Sequence, residues 1–177
     1  MEVADEELML AYRGGQASAF DALYARHRGR LYRFILRSIK PRATAEELFQ
    51  EVWIRVIEAR SRYAPQARFT TWLYTIAHNL MVDHWRRKGL TLVQLDEEAS
   101  VTAADNPARQ AEARESLARL LQALEALPEA QREAFLLHEE AGLSVAEIAR
   151  VTGAGEEAAK SRLRYAIAKL KAAVDDD

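Results

Sequence analysis

There is no cysteine in this sequence. That excludes a disulfide framework, a thiolate nucleophile, a Cys-ligated zinc and direct thiol redox sensing by the chain. Glycine and proline are scarce, 7 and 4 of 177 residues, which is too little turn material for a many-stranded β fold. No apolar run approaches the roughly 18 residues of a membrane span. The opening MEVADEELML is acidic and lacks the basic-then-apolar pattern of a secretory signal, so a cytoplasmic location is expected. His27, His78, His84 and His138 show no metal-ligand spacing, and HExxH, the Walker loop and GxSxG are all missing. Glu46, Glu47, Glu51 and Asp83 read as solvated or capping helix carboxylates. The expectation is a protein that is not an enzyme and needs no metal or cofactor.

What is present is a folded composition, 49% apolar and 29% charged, enough for one domain or two small ones. The formal net charge of −2 hides an uneven distribution. Residues 60–88 carry six Lys or Arg against one Asp, 89–115 two Arg against six acids, and 150–171 six basic residues against two Glu. Two basic blocks flanking an acidic one point to two contacts on a polyanion; ordinary surface charge is the alternative.

Nearly every segment reads as helix. A short one covers 5–13 and breaks at Gly14-Gly15. A second covers 18–39, with Phe20, Leu23, Tyr24, His27, Leu31, Phe34 and Ile35 at helical steps, and Lys40-Pro41 ends it. Thr44 to Glu47 has the form of a capping box opening a helix that carries Leu48, Val52, Ile54, Val56 and Ile57. A loop follows over 63–68, then a long helix over 69–88. Residues 89–106 lack a long apolar period and contain Asp96-Glu97-Glu98, so they read as a linker. Extended, those 18 residues span on the order of 60 Å at about 3.3 Å each. A loop on a single domain is the alternative. Asn106-Pro107 is a helix start, with helices over 107–126 and 128–140. Ser144 to Glu147 is a second capping box, Gly153 sits in a turn, and the last helix covers 156–174.

Two helices joined by a tight Gly-containing turn, the second one basic, form a helix-turn-helix signature. Ala149 is small where the helices cross, and Gly153 suits a left-handed turn. On the last helix Ala159, Leu163, Ala166, Ile167 and Leu170 make one apolar stripe. Lys160, Ser161, Arg162, Arg164, Tyr165, Lys169 and Lys171 lie off it. Such a helix fits a DNA major groove; a helical hairpin with a solvated basic face is the alternative. Glu156 and Glu157 favour the helix dipole but repel phosphate at that end.

The segment 69–88 reads FTTWLYTIAHNLMVDHWRRK. At about 100° per residue Leu73, Ile76, Ala77, Leu80 and His84 share a core face. Trp72, Thr75, Asn79, Asp83 and Arg86 share another, and Tyr74, His78 and Trp85 a third. Aromatics on two faces beside cations suit unstacked bases of single-stranded or melted nucleic acid, since stacking supplies about 1–3 kcal/mol per base. The alternative is a two-sided helix packed between neighbours.

Four stretches in order resemble the extracytoplasmic-function sigma factors of bacterial RNA polymerase. AFDALYARHRGRLYRF (19–34) resembles the start of their first domain, and AEELFQEVWIRV (45–56) their polymerase-binding helix. FTTWLYTIAHNLMVDHWRRK (69–88) resembles their promoter-melting helix. LPEAQREAFLLHEEAGLSVAEIARVTGAGEEAAKSRLRYAIAKLK (127–171) resembles their C-terminal helix-turn-helix. The resemblance covers nearly the whole chain.

It implies an all-α protein of two small helical domains joined by a flexible acidic linker, the C-terminal one a helix-turn-helix. Residues 1–88 would form the region 2 domain, 89–106 the linker and 107–177 the region 4 domain. It further implies a non-catalytic transcription initiation factor that binds core RNA polymerase and promoter DNA. Glu47, Gln50, Glu51 and Trp53 match positions that dock on the β′ clamp helices. Trp72, Asn79, Asp83, Trp85, Arg86 and Arg87 match positions that open the −10 element and hold a flipped base. Lys160, Ser161, Arg162, Arg164 and Tyr165 match positions that read the −35 element, beside a domain that rests on the β flap. The acidic linker would lie in the RNA exit path. An anti-sigma factor is the expected regulator. The chain departs from the usual pattern at Ala154, Ala158 and Ala159, where β-branched residues are common, and at Tyr165, where a basic residue is common. These departures bear on the −35 sequence read rather than on the fold, because Ala is a strong helix former.

Two other classes remain open on the residues alone. A repressor or activator with an N-terminal effector domain would not require the 69–88 segment. A helical protein-interaction module that sequesters another factor would direct no transcript.

Overall fold

A computed structural model describes residues 1–90 and 109–175, and among them every regular element is helical. The order is α1 (Asp5–Arg13), α2 (Ala17–Ser38), α3 (Arg42–Ala59), a 3-10 turn (Arg60–Arg62), α4 (Phe69–Leu90), α5 (Arg109–Ala126), α6 (Glu129–Glu139), α7 (Val145–Thr152) and α8 (Glu156–Asp175). α1 opens with Asp5, Glu6 and Glu7, which suit the positive end of the helix dipole. It buries Met9 and Tyr12 and turns through Gly14 and Gly15, the latter at φ 104°, a left-handed value that glycine adopts at little cost.

One expected signal is corrected. α3 begins at Arg42, two residues before Thr44, with Pro41 at its cap and no side-chain capping bond. The Pro41 carbonyl accepts from the N–H groups of Thr44 and Ala45 at 3.0 and 3.2 Å, so Thr44 already lies inside the first turn. The fixed φ of proline starts the helix before the Thr44–Glu47 box can act. The second box holds. Ser144 Oγ accepts from Glu147 N–H at 3.2 Å, and Glu147 Oε2 accepts from Ser144 N–H at 2.8 Å.

The first four helices enclose Met9, Leu23, Leu31, Phe34, Ile35, Val52, Val56, Phe69, Leu73, Tyr74 and Met81, all essentially out of water. Phe34 and Tyr74 meet edge to face at 5.2 Å. The last four helices enclose Leu136, Leu137, Ile148, Val151, Ala159, Leu163, Ala166 and Leu170. Each fully buried Leu, Ile or Phe contributes about 1.5–3 kcal/mol of transfer free energy. α4 runs through Gly89 and Leu90, past the expected start of the linker. The rest of that segment, with Asp96-Glu97-Glu98 and the Asn106-Pro107 helix start, lies outside the described residues. The two sets of helices share a face: α2 packs on α6 and α4 on α7. α4 is thus flanked by α3 on one side and α7 on another, which accounts for its two apolar faces.

Candidate nucleic-acid interface

On α4 the row Trp72, Thr75, Asn79, Asp83 and Arg86 follows the three- and four-residue steps of one helix face. Asn79, Asp83 and Arg86 are exposed, and Arg87 flanks them, also exposed. Trp72 is half-buried. Its ring meets Tyr63 edge to face at 5.0 Å and lies tilted against Phe69 at 5.8 Å. Trp85 falls on the other side of α4 with Tyr74 and His78, half-buried against the core, so it does not join the row. Near the C-terminal end of α4, burial lowers the His84 pKa from its ordinary value, with Lys88 and Arg87 acting in the same direction. A neutral imidazole is therefore favoured in a basic helix end.

The Trp72 end of the row opens into a cavity of about 370 Å³ that sequence reasoning missed. Arg62, Gln66, Thr71, Trp72, Thr75 and Arg150 line it. Thr71 is 3% exposed and its Oγ1 has no hydrogen-bond partner, while its carbonyl accepts from Thr75 Oγ1 at 2.7 Å. An aromatic plane, an unmet hydroxyl and two guanidinium groups match a planar, hydrogen-bonding, anionic occupant such as a nucleotide unit. Periodicity could not reveal this cavity, because three of its walls are the 3-10 turn, the following loop and a helix remote in sequence.

The helix-turn-helix is built as its residues demand. Gly153 takes φ 71°, closing the turn after α7. α8 buries Ala159, Leu163, Ala166 and Leu170. Lys160, Arg164 and Tyr165 face solvent, and Tyr165 is 53% exposed. Ser161 and Arg162 are half-buried, with Arg162 near the margin of the apolar stripe. The Arg164 guanidinium lies over the Tyr165 ring at 5.4 Å, a cation–π contact that holds the two side chains together.

On α3, Glu47 and Gln50 are exposed, and Glu51 pairs with Arg55 at 3.0 Å. Trp53, expected among the docking positions, is 5% exposed and packs in the core. Its ring packs edge-on against Tyr24, Phe20 and Phe49 at 5.0, 5.9 and 6.4 Å. Ile54 and Ile57 are 46% and 40% exposed beside the Glu47–Gln50–Glu51 stripe.

Comparison with known proteins converges on one family. The family model "Sigma-70 region 2" matches residues 23–91, and "Sigma-70, region 4" matches 117–170. The RNA polymerase sigma factor CarQ of Myxococcus xanthus is 36% identical, with 92% of this chain and 93% of CarQ covered. The ECF RNA polymerase sigma factor SigM of Mycobacterium tuberculosis is 31% identical, covering 96% of this chain and 84% of SigM. Among solved structures, CnrH in complex with the cytosolic domain of CnrY superposes with a TM-score of 0.71 at 28% identity, covering 99% of both chains. The sigma factor RpoE of Bartonella quintana, crystallised with the anti-sigma factor NepR, shares the fold with a TM-score of 0.73 at 22% identity, over 89% of this chain and 98% of that one. Matched in order to both sigma regions, the chain belongs to the extracytoplasmic-function sigma factors, non-catalytic factors of transcription initiation.

Proposed function

We propose that this sigma factor binds core RNA polymerase through α3, opens the −10 promoter element with α4 and reads the −35 element with α8. The observation that carries the proposal is the α4 row, which leads from an aromatic, cation-lined cavity at Trp72 to the exposed Asn79, Asp83 and Arg86. A flipped base of the non-template strand fits the cavity, Asn79 supplies hydrogen bonds to a base edge, and Arg86 and Arg87 track phosphate. The rings wedge and stack rather than cut, so opening the duplex needs no chemistry from this chain.

The region 2 domain in this reading is 1–88 and the region 4 domain 107–177, with 89–106 as an acidic linker in the RNA exit path. On α3 the docking group becomes Glu47, Gln50 and Glu51 with Ile54 and Ile57. An acidic stripe beside an apolar pair suits basic, amphipathic clamp helices of β′. On α8, Lys160, Arg164 and Tyr165 face the major groove, flanked by Ser161 and Arg162, while the same domain rests on the β flap. Neither half need bind DNA tightly alone, since tethering both to the polymerase raises their effective concentration. An anti-sigma factor is the expected partner, because CnrH is seen with the cytosolic domain of CnrY.

The test is a permanganate footprint of reconstituted holoenzyme on a cognate promoter. Replacing Trp72 and Asn79 with Ala should abolish reactive thymines at −10 while the variant still co-elutes with core polymerase. An unchanged footprint would count against the assignment of α4. A repressor would bind operator DNA without co-eluting with the polymerase at all.

A further inference from the structure

The loop that walls the Trp72 cavity is held at three points by α1. At its near end the 3-10 turn carries Arg60, whose guanidinium lies over the Tyr12 ring at 5.3 Å and donates to Tyr12 Oη at 3.4 Å. Three residues on, the Tyr63 carbonyl accepts from Arg13 Nη1 at 2.8 Å, a contact across 50 residues of chain. At the far end the Glu6 carboxylate accepts from the Phe69 N–H. Arg62 and Gln66, which line the cavity, lie between these points. Among the described residues, no α1 side chain lines the cavity itself.

Arg13 is an exposed residue in the last turn of α1, so its bond to Tyr63 is not a by-product of burial. A guanidinium–carbonyl bond is charge-assisted and stronger than a neutral one. The Tyr63 backbone that it holds carries a ring 2% exposed, set edge-on against Trp72 at 5.0 Å. The bond made at α1 therefore reaches the aromatic wall of the cavity within one residue. α1 is a fixed support for it: Met9 is buried, and Asp5 pairs with Arg26 and His27 of α2 at 2.9 and 2.8 Å. Residues 63–68 form no regular element, so their shape depends on such outside bonds. A wall ordered beforehand spares an incoming base the entropy of ordering it.

We propose that Arg13 is a positioning residue for base capture: by holding the Tyr63 carbonyl it keeps the loop in the shape that Trp72, Arg62 and Gln66 need to receive a flipped base. Tyr12 acts to the same end through Arg60. α1 thus governs −10 recognition from outside the DNA contact. The proposal rests on the reading of the Trp72 cavity as the flipped-base site. Loosening the loop weakens capture of the base and spares polymerase docking on α3 and −35 reading on α8, because neither surface includes α1 or the loop.

The test uses reconstituted holoenzyme and a labelled promoter duplex recovered by run-off transcription, its −10 element held open by mismatches. Non-template bases of that element are removed one at a time to leave abasic sites, and binding is followed by fluorescence anisotropy. In the wild type one abasic position should weaken binding by about tenfold or more, the worth of one stacked base. Trp72→Ala should erase that penalty. Arg13→Met, which keeps an apolar stem and deletes the donors, should shrink the penalty several-fold at the same position. Arg60→Ala, at an exposed residue, should act in the same direction and carries the test if Arg13→Met does not fold. A general loss of stability does not mimic this result, since it lowers binding of intact and abasic duplexes alike. A full penalty in the folded Arg13→Met variant, with none in Trp72→Ala, would overturn the positioning role and leave the cavity reading standing. Wild-type affinity undiminished at every abasic position would overturn both.

Discussion

The Glu6 carboxylate accepts a hydrogen bond from the Phe69 backbone N–H at 2.6 Å, joining the first turn of α1 to the start of α4. Asp5, next to it, pairs with His27 at 2.8 Å and Arg26 at 2.9 Å on α2. α1 is thus pinned to α2 and supplies a cap to the helix that carries Trp72 and Asn79. Glu6→Ala removes the cap and should cost about 1–2 kcal/mol of unfolding free energy. Glu6→Gln keeps an acceptor and should cost less. Urea titration of both variants checks this; equal losses would mean the carboxamide cannot serve the bond.

Trp53 and Ile54 are neighbours in sequence with opposite surroundings. Trp53→Ala empties the aromatic cluster of Phe20, Tyr24 and Phe49 and should destabilise the fold by about 3–5 kcal/mol. Ile54→Ala should leave the urea midpoint nearly unchanged and weaken association with core polymerase. Reversed phenotypes would put the docking face elsewhere on α3.

Arg164 is held over Tyr165 in water on α8. Arg164→Ala should weaken binding to the cognate −35 sequence by about 1–3 kcal/mol, and bring it closer to binding of unrelated DNA. Equal loss on every DNA sequence would make Arg164 a phosphate contact rather than a reader.

The His84 pKa is depressed by burial and by Lys88 and Arg87, so the unfolded chain binds this proton more readily than the folded one. Stability tied to the neutral ring is fully present above the ordinary value of 6.5 and is lost as pH falls through it toward the folded value. His84→Asn should therefore lose less stability than the wild type on mild acidification, as read by urea midpoints across that range. Parallel curves would show that the ring does not contribute.

The local signals were legible because they are local. The Ser144–Glu147 box, the left-handed Gly153 and the apolar stripe of α8 involve residues within one or two turns, and all appear where the pattern places them. The α3 start was misplaced because Pro41 and Thr44 both offer a beginning, and the earlier one prevails. The surroundings of Trp53 and Ile54 were not legible. α3 carries Leu48, Val52, Trp53, Ile54, Val56 and Ile57 around much of its circumference, and the choice of buried side is made by Phe20 and Tyr24 on α2. Least legible was the Trp72 cavity with its Arg150 wall, along with pairs such as Arg33–Glu140 and His78–Glu133. These depend on how distant helices meet, which periodicity does not encode.

Run-off transcription with purified core polymerase on a promoter library tests the proposed function most directly. Addition of this chain should yield transcripts from a discrete set of templates that share two short sequence blocks at a fixed spacing, and none without the chain. A correctly folded chain that directs no transcript from any template would contradict it.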